Sequence, residues 1–374
     1  MSSSPLLDPS VLFFVLGLFA GLVRSNLEIP SAIARFLSLY LLMALGLKGG
    51  FSLAESGFNP AILRDLVFAV GLALLIPLLS FVFLKRVINP LDALAIAATY
   101  GSVSAVTFIT ATQFLETNGL AYGGHMAAAM ALMESPAIIF AILMANLYRS
   151  QEARQEHQGF LVVLKESFTE GAQILLLGAM VIGLVTGASG ETIMDPFTGM
   201  IFKGMLAFFL LDMGVATAKR LTDLKDVPKR LAFYGILAPM VHASIALLLA
   251  SVSGLSVANA TLLAVLAGSA SYIAVPAVLK HALPESNPSL YLGLSLGLTF
   301  PFNIIVGIPL YYWAASQLIE VYSRSNSAAA CRVLSVIVCP PSMRAISSIR
   351  SARVNNLASE IVTSASDCFW TCRC

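Results

Sequence analysis

Charged residues are scarce in this chain of 374 residues. Lys, Arg, Asp and Glu make up 11% of it and hydrophobic residues 58%, whereas ordinary soluble domains are about 25% charged. A chain so poor in charge requires lipid as its solvent, so the lipid bilayer is the partner that the composition implies. The net charge of +2 comes without a dense basic cluster, which gives no reason to propose a nucleic-acid partner.

Cysteine is missing from the first 330 residues, because all five cysteines lie in the tail, at Cys331, Cys339, Cys368, Cys372 and Cys374. Disulfides therefore cannot stabilise the apolar body, and the spacing does not suggest a zinc site with four ligands. Residues 319–374 lack a sustained apolar period, which predicts a poorly ordered tail or a terminus that is not native.

Walker loops, GxSxG elbows and HExxH motifs are also missing, so we expect neither an enzyme nor an organic cofactor.

Apolar segments long enough to cross a hydrocarbon core of about 30 Å recur along the remaining chain. We predict an all-α integral membrane protein with ten transmembrane helices, at residues 11–23, 30–47, 66–84, 90–114, 126–147, 168–186, 196–216, 231–252, 257–279 and 290–313. The first five helices and the last five form two repeats, 1–148 and 168–318, on either side of a polar loop at 149–167.

The distribution of basic residues predicts the orientation. With the N-terminus outside, only Lys48 and Arg64 fall in outside loops. Twelve basic residues then fall in cytoplasmic loops: Arg24, Lys85, Arg86, Arg149, Arg154, Lys165, Lys219, Arg220, Lys225, Lys229, Arg230 and Lys280. This bias follows the positive-inside rule and predicts that both termini lie outside, with the loop at 149–167 in the cytoplasm.

An internal repeat relates the two halves. TYGSVSAVTF at 99–108 resembles LAGSASYIAV at 266–275, with three residues matched at a separation of 167: Gly101 with Gly268, Ser102 with Ser269, and Ser104 with Ser271. Gly46 matches Gly214, and Pro60 matches Pro228, at a separation of 168. Five helices separate the copies, and because five is odd the second half enters the membrane in the opposite sense. The pattern predicts a 5+5 inverted repeat; the alternative is chance similarity between helices rich in small residues.

Helices four and nine carry Gly-Ser-x-Ser at mid-span, where Gly lowers helix stability by about 1 kcal/mol relative to Ala. We predict that both helices are broken and cross at the membrane midplane, with second halves that begin near Val103 and Ala270. Each new N-terminus would carry about half a positive charge and free N–H donors, which suit an anion. The candidate anion ligands are Gly101, Ser102, Ser104, Thr107, Gly268, Ser269 and Ser271. Alternatively, Gly and Ser only allow close helix packing.

Oxygen ligands for a cation are also predicted beside the breaks. The first half-helices end in carbonyl groups near Ala98, Thr99, Leu266 and Ala267, which could coordinate sodium; no other metal is expected. Glu134 lies mid-span in helix five, where a carboxyl group is costly unless it is paired or hydrated. It could be a sodium ligand, a protonation site or a buried hydrogen-bond donor. Asn303 in helix ten could orient the substrate or cap a loosened turn.

Several short motifs resemble the sodium-dependent bicarbonate transporter family of cyanobacteria and other bacteria. They occur in order between about residues 11 and 316: ALGLKGG at 44–50, GSVSAVT at 101–107, ESPAI at 134–138, MANLY at 144–148, LAPMVHASIA at 237–246, GSAS at 268–271, SNPSLYLG at 286–293 and GIPLY at 307–311. The resemblance implies sodium-coupled symport of bicarbonate across the plasma (inner) membrane. It also implies a homotrimer, a core and a gate domain with an elevator-like movement, and a possible PII-like cytoplasmic regulator.

The resemblance extends to single site residues. Ser104, Thr107 and Ser269 stand where the family has its two serine/threonine clusters, and Glu134 stands where an Asp is expected. Ser271 replaces an Asp of the cyanobacterial members, and Asn303 replaces a small apolar residue. The loss of a carboxylate could change the sodium stoichiometry or the preferred anion. A permease for another small anion, such as a carboxylate, and a passive anion channel are therefore kept as alternatives.

Overall fold

A computed structural model describes residues 8–57, 59–148, 171–221, 224 and 227–319 of the chain. The predicted cytoplasmic loop at 149–167 and the tail with its cysteines lie outside these ranges. The described residues form helices and no strand. In chain order these are α1 (Pro9–Leu22), α2 (Ser31–Ser56), α3 (Pro60–Leu84), α4 (Pro90–Gly101), α5 (Ala105–Thr117), α6 (His125–Tyr148), α7 (Gly171–Thr198), α8 (Met200–Leu221), α9 (Lys229–Ser253), α10 (Val257–Ala267), α11 (Ala274–Ala282) and α12 (Pro288–Ile319).

Eight helical segments within the described ranges are long and apolar enough to cross a membrane, if α4 and α5 are taken together as one segment. The others include α1 and α10, which are apolar but shorter. α10 is almost wholly buried, whereas α1 and α3 expose large apolar side chains such as Phe19 at 60% and Leu63 at 67%. An apolar exterior of this kind suits contact with lipid. The chain is therefore an all-helical, multi-pass membrane protein.

Three helices begin at the same dipeptide, Asn-Pro. Asn59, Asn89 and Asn287 each accept a hydrogen bond from the backbone N–H two residues later, at 3.0, 2.9 and 3.0 Å. The following proline is preorganised for the first helical position and has no N–H that would lack a partner there. These caps fix where α3, α4 and α12 begin.

Some helix ends differ from the hydropathy prediction. α2 continues to Ser56 and α3 already begins at Pro60, so Lys48 and Arg64 lie in helices and not in outside loops. Both cations have partners there, because Lys48 Nζ lies 2.9 Å from Glu116 Oε1 and Arg64 Nη2 lies 2.9 Å from Asp65 Oδ1. Pairing lowers the cost of a charge inside a membrane helix, which a hydropathy average does not register.

The helices associate in two groups. α1 packs along α8 and α2 packs along α7, while α2 also contacts α8; these four are called the first helix group. In the second helix group, α3 packs on α4 and α6, α9 packs on α10, and α10 packs on α5. α11 and α12 belong to the second group through α4, α6 and α9. Fewer contacts join the groups, chiefly those of α2 with α6 and of α8 with α12.

Close glycine packing repeats within the first helix group. A Cβ on Gly50 of α2 would collide with the Met180 carbonyl oxygen and lie 2.7 Å from the Leu184 nitrogen of α7. A Cβ on Gly214 of α8 would collide with the Phe14 carbonyl oxygen and lie 2.6 Å from the Leu18 nitrogen of α1. The contact of α2 with α7 and the contact of α8 with α1 thus have the same local geometry.

The glycine contacts also show which residues occupy equivalent positions in the two helix pairs. Gly50 and Gly214 are 164 positions apart, while both partner pairs, Phe14 with Met180 and Leu18 with Leu184, are 166 apart. Gly214 therefore has the same packing surroundings as Gly50. The sequence comparison had paired Gly214 with Gly46, which lies one helical turn earlier and also packs closely against α7.

Candidate functional site

The chain is interrupted at both Gly-Ser-x-Ser motifs, as the sequence predicts. α4 ends at Gly101 and α5 begins at Ala105, while α10 ends at Ala267 and α11 begins at Ala274. The second halves therefore begin two and four residues later than the expected Val103 and Ala270. At the first break the reason is that Ser104 is the N-cap residue, which precedes the first helical residue and accepts a hydrogen bond from the helix.

Ser104 and Thr107 form a hydroxyl cluster at the start of α5. Ser104 Oγ accepts hydrogen bonds from the Thr107 backbone N–H at 3.2 Å and from Thr107 Oγ1 at 2.9 Å. Ser271 Oγ likewise accepts from a backbone N–H of α11, that of Val275 at 3.3 Å, although the N-cap residue of α11 is Ile273. Ser102 differs, because its hydroxyl donates to the backbone carbonyl of Glu134 at 3.1 Å and so ties the first break to α6.

Direct hydrogen bonds join the two breaks. The Ser104 N–H donates to Ser269 Oγ at 3.0 Å, and the Ser271 N–H donates to the Thr99 carbonyl at 2.8 Å. Ser269 Oγ in turn donates to the Leu266 carbonyl at 2.9 Å. Residues 165 and 172 positions apart in the sequence are therefore in contact, which brings the two predicted serine sets together.

A cavity of about 60 Å³ lies where the breaks meet; roughly 10–15 Å³ suffices for one water molecule. Residues 103–106 at the start of α5 and residues 271–274 at the start of α11 line it. Glu134 of α6 and Gln173 of α7 contribute further polar groups. The remaining wall is largely apolar and includes Leu41, Leu42, Ile109, Met130, Leu176 and Phe209. Two helix N-termini and one carboxyl group thus share a mostly apolar space, where electrostatic interactions are stronger than in bulk water.

Glu134 has a partner that the sequence did not reveal. The Gln173 side-chain amide donates to Glu134 Oε2 at 2.8 Å and lies 3.5 Å from Ser135 Oγ. Gln173 is 4% exposed and belongs to the first helix group, whereas Glu134 belongs to the second. The cavity is therefore completed by both groups. A buried amide within an apolar helix was the available signal, but Gln alone does not indicate which residue it contacts.

The predicted sodium-binding carbonyls lie beside the breaks and take part in protein hydrogen bonds. The Ala98 carbonyl accepts from the Ser102 N–H at 3.0 Å, while those of Thr99 and Leu266 accept from Ser271 and Ser269. A carbonyl oxygen has two lone pairs, so the bonds described for Ala98 and Thr99 leave room for a cation. The Leu266 carbonyl is more fully used, because it accepts from both the N–H of Ser269, at 3.3 Å, and its hydroxyl, at 2.9 Å. Ala267, the last residue of α10, is fully buried. In the part of the chain that the structure describes, no three His, Cys, Asp or Glu residues form a metal cluster.

Asn303 lies behind the second break. Its Nδ2 donates to the Gly268 carbonyl at 2.8 Å, and its Oδ1 accepts from the Tyr311 hydroxyl at 2.9 Å. Asn303 begins a short π-helical stretch of α12, Asn303–Gly307, and such stretches are frequent at functional sites. The predicted roles were to orient the substrate or to cap a loosened turn; both polar ends of the side chain bind protein atoms, and one of them supports the second break.

The comparison with known families agrees with the motifs. No match was found among curated proteins. A family model described as the Na+-dependent bicarbonate transporter superfamily matches residues 9–316. This match spans the body of the described structure, both breaks and the cavity between them, and it confirms the resemblance noted in the sequence. The chain belongs to the Na+-dependent bicarbonate transporter superfamily.

Proposed function

We propose that this protein is a secondary active transporter that carries bicarbonate into the cell together with sodium. The observation that supports it best is the cavity on which the first turns of α5 and α11 converge. Membership of a transporter family argues against an enzyme, and it makes sodium the expected coupling ion.

The anion would be held mainly by backbone groups. Among the described residues that line the cavity, none is Lys or Arg, so positive potential must come from the helix N-termini, each equivalent to about half a charge. The hydroxyls of Ser104, Thr107 and Ser271 would supply further hydrogen bonds, with Ser269 holding the two breaks in register. Gly101, Ser102 and Gly268 would shape the site, and Asn303 would support it from behind.

Sodium would bind next to the anion. Glu134 carries a carboxyl group at the cavity, and an ionised carboxylate repels bicarbonate in a low-dielectric space. A sodium ion held by Glu134 and by the carbonyls of Ala98, Thr99, Leu266 and Ala267 would cancel that repulsion. Anion binding would then require the cation, which is the physical basis of symport.

The architecture proposed for transport is a 5+5 inverted repeat. α1 counts as one crossing, and the interrupted pairs α4–α5 and α10–α11 count as one crossing each, so that ten segments span the membrane with both termini outside. The equal geometry of the Gly50 and Gly214 crossings supports the repeat. The second helix group would move against the first in an elevator-like manner. A homotrimer and a PII-like cytoplasmic partner are expectations from the family resemblance.

Uptake of radiolabelled bicarbonate into proteoliposomes tests this function. We expect uptake to require an inward sodium gradient and to stop when choline replaces sodium. Glu134→Gln is expected to abolish the sodium dependence, because it removes the charged sodium ligand. Equal uptake in sodium and in choline would contradict symport and favour a passive channel. If a small carboxylate inhibits uptake at a lower concentration than unlabelled bicarbonate does, that carboxylate is the preferred substrate.

A further inference from the structure

A second cavity, of about 390 Å³, lies between the end of α3 and the start of α9. Its lining residues are Phe83, Val87, Lys229, Arg230, Leu231 and Phe233. Four of the six are apolar, and Phe83 and Phe233 are 54% and 65% exposed. The groove is therefore accessible from the outer surface of the helix bundle and is separate from the lining of the proposed transport site.

The apolar groove carries positive charge at one end. Lys229 and Arg230 are the first two residues of α9, and among the described residues neither forms an ion pair. Lys85 and Arg86 follow the last residue of α3 and are also exposed. None of the six lining residues is acidic. Two cations thus line the groove where α3 ends and α9 begins, and two more follow the end of α3.

We propose that this groove binds an anionic glycerophospholipid. The lipid phosphate would contact Lys229 and Arg230, and an acyl chain would lie against Phe83, Leu231 and Phe233. Charge complementarity favours an anionic over a zwitterionic headgroup. The apolar lining favours a molecule with an acyl chain over a soluble phosphate, because burial of each CH₂ group contributes about 0.8 kcal/mol. Aromatic and basic side chains at a helix end also suit the bilayer interface.

Thermal unfolding of the full chain in detergent, with defined lipids added, tests the site. A basic residue near a membrane surface contributes about 1 kcal/mol toward an anionic lipid, so two should give a preference of about 10- to 30-fold. We expect dioleoylphosphatidylglycerol to stabilise the protein at a concentration lower by that factor than dioleoylphosphatidylcholine. The double variant Lys229→Gln/Arg230→Gln should lose this preference.

The matched control is Arg35→Gln/Lys203→Gln, which removes the same charge from two exposed positions in α2 and α8. It should keep the preference. Val87→Trp fills the groove while leaving both cations in place, so it should weaken stabilisation by phosphatidylglycerol even if the double variant folds poorly. Equal stabilisation of the wild type by both lipids, or by inorganic phosphate alone, would overturn the proposal. So would stabilisation by phosphatidylglycerol that survives in Val87→Trp at its full value.

Discussion

At the scale of single residues, Ser269 is the point at which the two breaks are joined. Its hydroxyl accepts from the Ser104 N–H and donates to the Leu266 carbonyl. Ser269→Ala leaves a buried N–H without its acceptor, and such a loss costs about 1–3 kcal/mol. Because the Ser104 N–H lies at the cavity, we expect the rate of sodium-dependent bicarbonate uptake to fall about 10-fold or more in proteoliposomes.

The control for this prediction is Ser244→Ala. Ser244 is exposed on α9, and its hydroxyl donates only to the Met240 carbonyl in the same helix. Its uptake should equal that of the wild type, and both variants should elute as folded protein in size-exclusion chromatography. Unchanged uptake in Ser269→Ala would show that the junction between the breaks does not serve transport.

The sequence could predict residues that belong to a repeat, but not those that act through a distant partner. Ser102, Ser104, Ser269 and Ser271 were recognisable because each motif occurs twice, and the structure brings the motifs into contact. Gln173 was missed because its hydrogen bond to Glu134 spans 39 positions and two helices. Amide side chains are common enough that no pattern in the chain distinguishes this one.

At the scale of helices, Gly50 sets the distance between α2 and α7. A Cβ there would collide with backbone atoms of α7, whereas a Cβ on Gly71 of α3 would meet nothing within 4 Å. Gly50→Val should therefore separate the helices and destabilise the protein by about 1–3 kcal/mol. Gly71→Val should change stability by less than about 0.5 kcal/mol. Thermal unfolding of both variants in one detergent measures the difference, and equal melting temperatures would contradict the close packing.

The all-helical, multi-pass character of the chain follows from hydropathy, whereas helix ends depend on contacts that hydropathy does not include. The break positions were predicted to within four residues, since Gly and Ser weaken a helix locally. The predicted end of α2 at Leu47 was nine residues early, because the charge of Lys48 suggested a loop. Glu116, which pairs with Lys48 inside the bundle, lies 68 positions away.

At the scale of the whole molecule, one ion pair among the described residues connects the two helix groups. Lys48 Nζ of α2 lies 2.9 and 3.1 Å from the Glu116 carboxylate oxygens of α5, and the Tyr122 hydroxyl donates to the same carboxylate at 3.2 Å. Lys48 also lies 4.7 Å above the Phe202 ring. If the groups slide past each other during transport, this pair must separate, so it stabilises the arrangement described here.

The proposed repeat predicts a second ion pair, in which the acidic residue lies on α8 and the basic residue on α11. The offset of 164 that relates Gly50 to Gly214 also relates Lys48 to Asp212 of α8. In α11, Lys280 lies near the helix end, as Glu116 does in α5. In the structure described here Asp212 and Lys280 form no ion pair. If the halves are an inverted repeat and exchange conformations during transport, as proposed above, these two residues would approach each other.

Substitutions in the two pairs should therefore shift the equilibrium between the two transport states in opposite directions. The apolar body has no cysteine, so Ser38→Cys at the cavity can be introduced after the five tail cysteines are changed to Ser. The labelling rate of this thiol with an impermeant maleimide then reports which transport state the protein occupies.

A partly exposed pair contributes up to about 1 kcal/mol, so Lys48→Gln and Asp212→Asn should change the rate about fivefold, one upward and the other downward. The charge swap Lys48→Glu/Glu116→Lys should restore the wild-type rate. Shifts in the same direction would mean that only the pair described here stabilises a transport state, and that α8 and α11 have no corresponding contact.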